Sequence, residues 1–116
     1  MLEKPTVLVT GATGFIGSHI VRLLLEQGES KVVASNASGS KRHLEDVLDR
    51  VDLVRADIAN FSNVLSLVQT HRPKTIYHIG AMLAPSCDMD PEGGIRTNAL
   101  GTYHILEAAR LFRWSR

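Results

Sequence analysis

The chain has 116 residues, of which 44% are hydrophobic and 22% charged, and its formal net charge is +1. This length fits one domain, and the near-neutral charge argues against a surface built to bind nucleic acid or an acidic membrane. The single cysteine, Cys87, excludes an internal disulfide framework.

The sequence contains no run of about 18 apolar residues, the length that a membrane span requires. Its first residues lead directly into a strand-like run without the pattern of a signal peptide. We therefore expect a cytoplasmic protein with no membrane partner.

The first predicted elements are a strand, a helix and a second strand. The β-branched run at 6–10 predicts a buried strand. Helical periodicity follows over 15–27 and ends at Gly28, with Ile16, Ile20, Leu23 and Leu24 expected on one apolar face. Residues 31–35 then predict the second strand.

Four further elements follow in the same alternation. A short helix is predicted at 42–50, a strand at 51–56, a helix at 62–71 and a strand at 75–79. Because helices and strands alternate throughout, the fold class is predicted to be α/β, with parallel strands joined by helical crossovers.

The last predicted element is a long helix over 91–112, which begins at Pro91. Its buried stripe is expected to contain Ile95, Tyr103, Leu106 and Ala109. The preceding residues, 82–86, are expected to form a loop. No linker divides the chain, so residues 1–116 are predicted to form one domain.

A glycine-rich turn follows the first strand directly. Gly11, Gly14 and Gly17 are spaced by three residues between that strand and the first helix. In this context Gly11 permits a tight turn, Gly14 lets the backbone approach a pyrophosphate, and Gly17 lets the helix pack closely on the sheet. The helix N-terminus then faces the phosphates, which predicts a dinucleotide-binding site.

Four segments in this order resemble the extended short-chain dehydrogenases/reductases, the family of nucleotide-sugar epimerases, dehydratases and related dehydrogenases. Residues 7–17 resemble its T-G-x-x-G-x-x-G opening, and Asp57-Ile58 the pair that touches adenine. Residues 78–81 resemble its H-x-A-A turn, and 98–109 its N-x-x-G-T-x-x-x-L-E-A-A helix. The resemblance implies a Rossmann-type doubly wound parallel sheet of order 3-2-1-4, ending after about four strands.

The resemblance implies NAD as cofactor, with NADP as an alternative. The residues expected to bind it are Gly11, Thr13, Gly14, Phe15, Ile16, Gly17, Ser35, Asn36, Asp57, Ile58, Ile79, Gly80, Ala81 and Asn98. Where an acidic residue usually holds the adenosine ribose, this chain has Ser35 or Asn36, which can bond a hydroxyl without repelling a 2′-phosphate. Lys41 and Arg42 lie nearby in the sequence.

The family's catalytic motif, Tyr-x-x-x-Lys, has no counterpart in this sequence. Only Tyr77 and Tyr103 are present, and Ala81 and Glu107 stand four residues after them. We therefore assign no catalytic residue, and we expect residues 1–116 to be the N-terminal portion of the dinucleotide-binding domain, without the catalytic region and substrate domain.

The implied function is the NAD(P)-binding portion of an epimerase, dehydratase or dehydrogenase, inactive alone. Such an enzyme transfers hydride at a hydroxyl carbon of a nucleotide sugar or of a small hydroxy or amino acid. Residues 35–36, 61–71 and 76–88 resemble the L-threonine 3-dehydrogenase branch, whereas residues 35–40 also match nucleotide-sugar epimerases. The alternative is a non-catalytic NAD(P)-sensing or protein-interaction module.

Two further expectations concern partners. The histidines and Cys87 lack metal-ligand spacing, so no metal site is predicted. In a sheet of order 3-2-1-4, the fourth strand leaves an unpaired edge, and this edge or the last helix could join two copies of the chain.

Overall fold

A computed structural model of the chain describes residues 4–112. The remaining residues of the predicted 1–116 domain, 1–3 and 113–116, lie outside this description. Four parallel strands form one sheet: β1 (Thr6–Thr10), β2 (Lys31–Asn36), β3 (Asp52–Arg55) and β4 (Thr75–His78). Their order is β3-β2-β1-β4, which confirms the predicted α/β class, the Rossmann-type arrangement and the order 3-2-1-4.

The two central strands are buried on both faces of the sheet. In β1, Leu8 pairs with Val33 of β2 on one side and with Ile76 of β4 on the other. Leu8 and Val33 have no exposed surface, as expected for apolar, β-branched runs at the centre of a parallel sheet. The outer strands β3 and β4 are only partly buried.

Helices cover both faces of the sheet. They are α1 (Phe15–Gln27), a 3₁₀ helix (Glu45–Arg50), α2 (Phe61–His71), α3 (Ala84–Met89), α4 (Pro91–Gly94), a π-helical turn (Ile95–Leu100) and α5 (Gly101–Leu111). The first core lies under α1 and the 3₁₀ helix and includes Val9, Val21 and Leu44. The second lies under α2 and α5 and includes Val64 and Ile105.

The predicted apolar faces of two helices were only partly correct. In α1, the predicted Leu24 is buried and Ile20 packs against the first core, but Ile16 and Leu23 are more than half exposed, and the buried stripe also includes Gly17 and Val21. The contact stripe is centred on Gly17 because this residue lies directly against the turn that follows β1.

In α5 as well, the buried face differs from the predicted one. Tyr103 and Leu106 are exposed, and the buried stripe of α5 is Gly101, Ile105 and Ala108. Two of these three residues are small, which lets α5 approach the second core closely. In both helices, the small residues determine which face is buried.

The segment before α5 also differs from expectation. Residues 84–89, predicted in part as a loop, form α3, with a proline in its first turn. The predicted helix over 91–112 is divided by the π-helical turn, which shifts the residues that follow it around the axis relative to a regular α-helix.

Candidate functional site

A cleft of about 660 Å³ opens at the carboxyl ends of the four strands. The strand order reverses between β1 and β4, and ligands of open α/β sheets bind in the crevice at this point. The volume is in the range of small-molecule and cofactor sites. The turns that follow all four strands contribute to its walls.

The glycine turn after β1 is fixed by contacts within the protein. Gly11 has a φ of +63°, and a Cβ there would lie 2.7 Å from the Gly80 nitrogen. A Cβ on Gly17 would overlap the carbonyl oxygen of Gly11. Both positions therefore require glycine whether or not a ligand is present.

Gly14 differs from these two glycines. A Cβ at Gly14 would make only an ordinary contact, 3.5 Å from the Gly11 carbonyl oxygen. Gly14 lines the cleft and precedes α1, whose N-terminus has no side-chain cap. A side chain here would fill space that the protein leaves open, beside N–H groups that the helix cannot pair itself. This arrangement suits a phosphate at the start of α1.

The mouth of the cleft beside Gly14 is apolar. Phe15 and Ile16 line it, and their side chains are 74% and 61% exposed. The Phe15 ring packs against His19, with ring centroids 4.7 Å apart. Exposed apolar groups in a cleft provide a surface for the apolar parts of a ligand.

At the end of β2, Ser35 and Asn36 line the cleft. The Ser35 hydroxyl is buried and has no hydrogen-bond partner among the described residues. The Asn36 amide nitrogen donates to Thr13 Oγ1 over 2.7 Å and to the Ser40 carbonyl over 2.8 Å. Asn36 thereby ties the loop after β2 to the glycine turn after β1.

The turn after β3 contributes Ala56, Asp57 and Ile58 to the cleft. One Asp57 carboxylate oxygen accepts from the Ala59 N–H at 3.0 Å, which fixes the turn locally. Ile58 is buried, and a Cβ on Gly101 would lie 2.9 Å from its side chain. Ile58 thus joins this wall of the cleft to α5.

A directional hydrogen-bond chain supports the turn after β4. Thr10 Oγ1 accepts from the N–H groups of Ile79 and Gly80, both at 3.0 Å. Since both lone pairs are occupied, its proton is donated to His78 Nδ1, 2.8 Å away. This assigns the other proton to Nε2, which donates to Thr102 Oγ1 at 3.1 Å. The neutral ring is also favoured by burial, which lowers the pKa of His78.

The wall beyond β4 continues through Ala81 and Met82 into α3. The Asn98 side chain holds the Met82 backbone in two bonds. Its oxygen accepts from the Met82 N–H at 2.7 Å, and its nitrogen donates to the Met82 carbonyl at 2.9 Å. The π-helical turn that contains Asn98 therefore positions this wall.

Twelve of the fourteen residues predicted to bind the cofactor line this one cleft: Gly11, Gly14, Phe15, Ile16, Gly17, Ser35, Asn36, Asp57, Ile58, Ile79, Gly80 and Ala81. Thr13 and Asn98 do not. Thr13 accepts the bond from Asn36, and Asn98 holds Met82, so each acts through a neighbour that lines the cleft. For all fourteen residues, contact with a cofactor stays a prediction.

The cleft also contains residues that were not predicted: Thr10, Ala37, Ala56, Met82, Leu83, Ser86 and Thr97. Thr10 and Ala56 lie beside predicted residues at strand ends, and this position was a signal that could have identified them. Ser86 and Leu83 enter the cleft through α3, and the proline that begins α3 was the available signal.

Within residues 4–112, no three His, Cys, Asp or Glu side chains come together as a metal-binding group. In the same part of the chain, no helix is long and apolar enough to span a membrane.

Comparison with protein families gives a match to the model for GDP-mannose 4,6 dehydratase over residues 8–116. Curated relatives include UDP-glucose 4-epimerase of Mycolicibacterium smegmatis, 34% identical over 90% of this chain and 34% of its own length. dTDP-glucose 4,6-dehydratase 1 of Escherichia coli is 35% identical over 94% of this chain and 32% of its own length. The chain thus spans about a third of these relatives.

Solved structures give the same result. UDP-glucose 4-epimerase of Thermus thermophilus, in complex with NAD, has a TM-score of 0.81 and 33% identity over 93% of this chain and 34% of its own. L-threonine dehydrogenase of Clostridium difficile, at 24% identity and a TM-score of 0.77 over 97% of this chain and 35% of its own, shares the fold. The family match and these similarities show that the chain belongs to the extended short-chain dehydrogenase/reductase family of epimerases and dehydratases.

Proposed function

We propose that this chain is the NAD-binding portion of an NAD-dependent epimerase, dehydratase or dehydrogenase. One observation carries the proposal: the strand–glycine turn–helix unit leaves open space at Gly14, and among the described residues no side chain caps the N–H groups of the first turn of α1. Family membership and the NAD complexes of similar epimerases support NAD as the ligand.

The cleft offers a separate place for each part of NAD. The uncapped start of α1 at Gly14 would hold the pyrophosphate. Ser35 and Asn36 would receive the adenosine ribose, and Asp57 and Ile58 the adenine. The wall of residues 79–81 would face the nicotinamide half.

NAD, when bound, accepts and returns a hydride. In the whole enzyme, this exchange would occur at a hydroxyl carbon of a nucleotide sugar or a small hydroxy or amino acid. The UDP-glucose 4-epimerase and the dTDP-glucose 4,6-dehydratase at 34% and 35% identity are named for nucleotide sugars, which favours the first class. Because residues 1–116 contain no Tyr-x-x-x-Lys motif, we propose that this chain binds NAD but turns nothing over alone.

Isothermal titration calorimetry of the chain with NAD, ADP-ribose and UDP-glucose tests this function. We expect saturable heat with NAD and ADP-ribose and none with UDP-glucose, because the proposed contacts all belong to the dinucleotide. Binding of UDP-glucose without binding of either NAD or ADP-ribose would refute the proposal. The proposal also states that the chain turns nothing over alone. Conversion of UDP-glucose to UDP-galactose by the pure chain with NAD would contradict this part.

We propose that the protein is cytoplasmic.

We also propose that two copies associate through the free edge of β4 or the exposed face of α5. Within the described residues, β4 pairs only with β1, and Tyr103 and Leu106 of α5 are more than half exposed. Unpaired edges and apolar patches favour association. Size-exclusion chromatography with light scattering should show a dimer. A monomer at all concentrations would contradict the proposed association.

A further inference from the structure

We propose that the ribose end of the cleft accepts a 2′-phosphate, so that the chain binds NADP at least as tightly as NAD. The inference rests on the proposed function and specifies its ligand further. It comes from the end of β2, where dinucleotide-binding sheets that select NAD place a carboxylate on the ribose hydroxyls. Here Ser35 and Asn36 line the cleft at that place.

The first observation is the Ser35 hydroxyl. Ser35 is 1% exposed, lines the cleft, and has no partner for its Oγ among the described residues. A buried hydroxyl without a partner is rare and energetically costly. A turn of this side chain towards the cleft would let a ligand oxygen satisfy the hydroxyl, and a neutral hydroxyl can donate to a phosphate as well as to a ribose.

The second observation is the lack of negative charge around Ser35. No Asp or Glu occurs between Glu29 and Glu45. Asp57 is the single acidic residue among those that line the cleft in the described part of the chain, and it follows β3 and not β2. The charge repulsion by which a carboxylate at the end of β2 rejects a 2′-phosphate is therefore missing.

The third observation is positive charge in and beside the loop after β2. Lys41 and Arg42 are exposed and form no ion pair within residues 4–112. Arg55 lies against the same loop, with its Nε donating to the Ala37 carbonyl at 3.1 Å. Guanidinium groups bind phosphate oxygens strongly because they combine charge with several donors.

The loop that contains these residues is held in place. Asn36 Oδ1 accepts from the Gly39 N–H at 2.7 Å, and the Asn36 amide nitrogen donates to the Ser40 carbonyl. Ser40 Oγ in turn accepts from the Arg42 N–H at 3.1 Å. The basic residues are thus attached to the rim of the cleft by a short, bonded segment, which lowers the entropic cost of binding an anion there.

The primary experiment is calorimetric titration of the full chain with NAD and with NADP at low and high salt. We expect the Kd for NADP to be no larger than the Kd for NAD, and NADP binding to weaken more steeply with salt. A larger Kd for NADP than for NAD would overturn the inference and leave the proposed function intact. Failure of both ligands to bind would instead overturn the proposed function and the inference with it.

Two matched double variants locate the phosphate contact. Lys41→Ala with Arg42→Ala should raise the Kd for NADP about tenfold and change the Kd for NAD less than twofold. Lys31→Ala with Lys74→Ala removes the same charge at the amino ends of β2 and β4, roughly 13 Å from Ser35 for Lys31 at the usual strand rise, and should leave both constants unchanged. Equal losses in the two double variants would refute a local phosphate site.

Ser35→Asp places a carboxylate at the position where NAD-selective sites have one, and it should reverse the preference between the two cofactors. NADP binding should weaken about tenfold or more relative to NAD binding. Circular dichroism shows whether this buried substitution folds, and the wild-type comparison decides the inference if it does not. A folded Ser35→Asp variant that still binds NADP as tightly as NAD would contradict it.

Discussion

The ends of β1 and β2 lie side by side in the cleft, yet they are built differently. After β1, Gly11 and Gly17 are fixed by contacts with the protein's own backbone. At the end of β2, the Ser35 hydroxyl has no partner within residues 4–112, and the loop that follows is held mainly by one side chain, Asn36. We propose that the first end holds the pyrophosphate, whereas the second determines which dinucleotide binds.

The largest expected effect comes from Gly17→Ala, because its Cβ would overlap the Gly11 carbonyl oxygen. We expect the free energy of unfolding to fall by about 3 kcal/mol, measured by urea denaturation. Gly28→Ala is the control, since nothing lies within 4 Å of a Cβ there and only its φ of +69° opposes the change. This variant should lose about 1 kcal/mol. Equal losses in both would show that the turn is not sterically fixed.

Gly14→Val separates binding from folding at the same turn. Because a Cβ at Gly14 makes only ordinary contacts, the free energy of unfolding should change by less than about 1 kcal/mol. The larger side chain would occupy the phosphate position, so the Kd for NAD should rise at least about tenfold, or 1.4 kcal/mol. Calorimetry together with denaturation gives both quantities. Unchanged NAD affinity in the folded variant would place the pyrophosphate elsewhere.

His78 provides a test that depends on pH, on the β4 side of the cleft. Burial lowers the pKa of His78 below its ordinary value of 6.5, so the unfolded chain binds the proton first as the pH falls. This group's contribution to stability is therefore complete above pH 6.5 and decreases as the pH falls from there towards the pKa in the folded state.

Urea denaturation between pH 5 and 8 measures this dependence. His78→Gln should lose about 1–3 kcal/mol at pH 8, because the hydrogen bonds to Thr10 and Thr102 are disturbed. It should also show a weaker decline towards pH 5 than the wild type. An identical decline in both proteins would mean that other groups cause the pH dependence.

The smallest expected effect comes from the bond that connects the two strand ends. Thr13→Val keeps the shape of the side chain but removes the oxygen that accepts from Asn36. Loss of one such bond should lower the free energy of unfolding by about 1 kcal/mol in urea denaturation. Because the bond is present with and without ligand, the Kd for NAD measured by calorimetry should rise by less than about fivefold. If Thr13 instead bonds the pyrophosphate directly, the Kd for NAD should rise as much as it does in Gly14→Val.

Much of the fold could be predicted from the sequence because the signals are local. The β-branched runs identify β1 and β2, which are buried on both faces, and the glycine spacing identifies the turn. The buried faces of α1 and α5 could not be read in the same way. They depend on Gly17 and Gly101, whose lack of a side chain permits contact, whereas the periodicity of large apolar residues also selected exposed residues such as Leu23 and Leu106.

The site shows the same limit. Residues at the strand ends or just after them, such as Ser35 and Asp57, could be placed in the cleft because parallel strands end at one edge. The bonds of Thr13 and Asn98 to other segments could not be predicted, since they link residues 23 and 16 positions apart through tertiary packing. The π-helical turn that contains Asn98 has no signal in the apolar periodicity.

The most direct test of the central claim is an amide NMR titration of the ¹⁵N-labelled chain with NAD. If the uncapped start of α1 receives the pyrophosphate, the largest shift changes should fall on the N–H groups of residues 14–17, with smaller changes at Ser35 and Gly80. Changes confined to the separate groove beside β3 and α2, which includes Ser62, Ser66 and Thr70, would contradict the account.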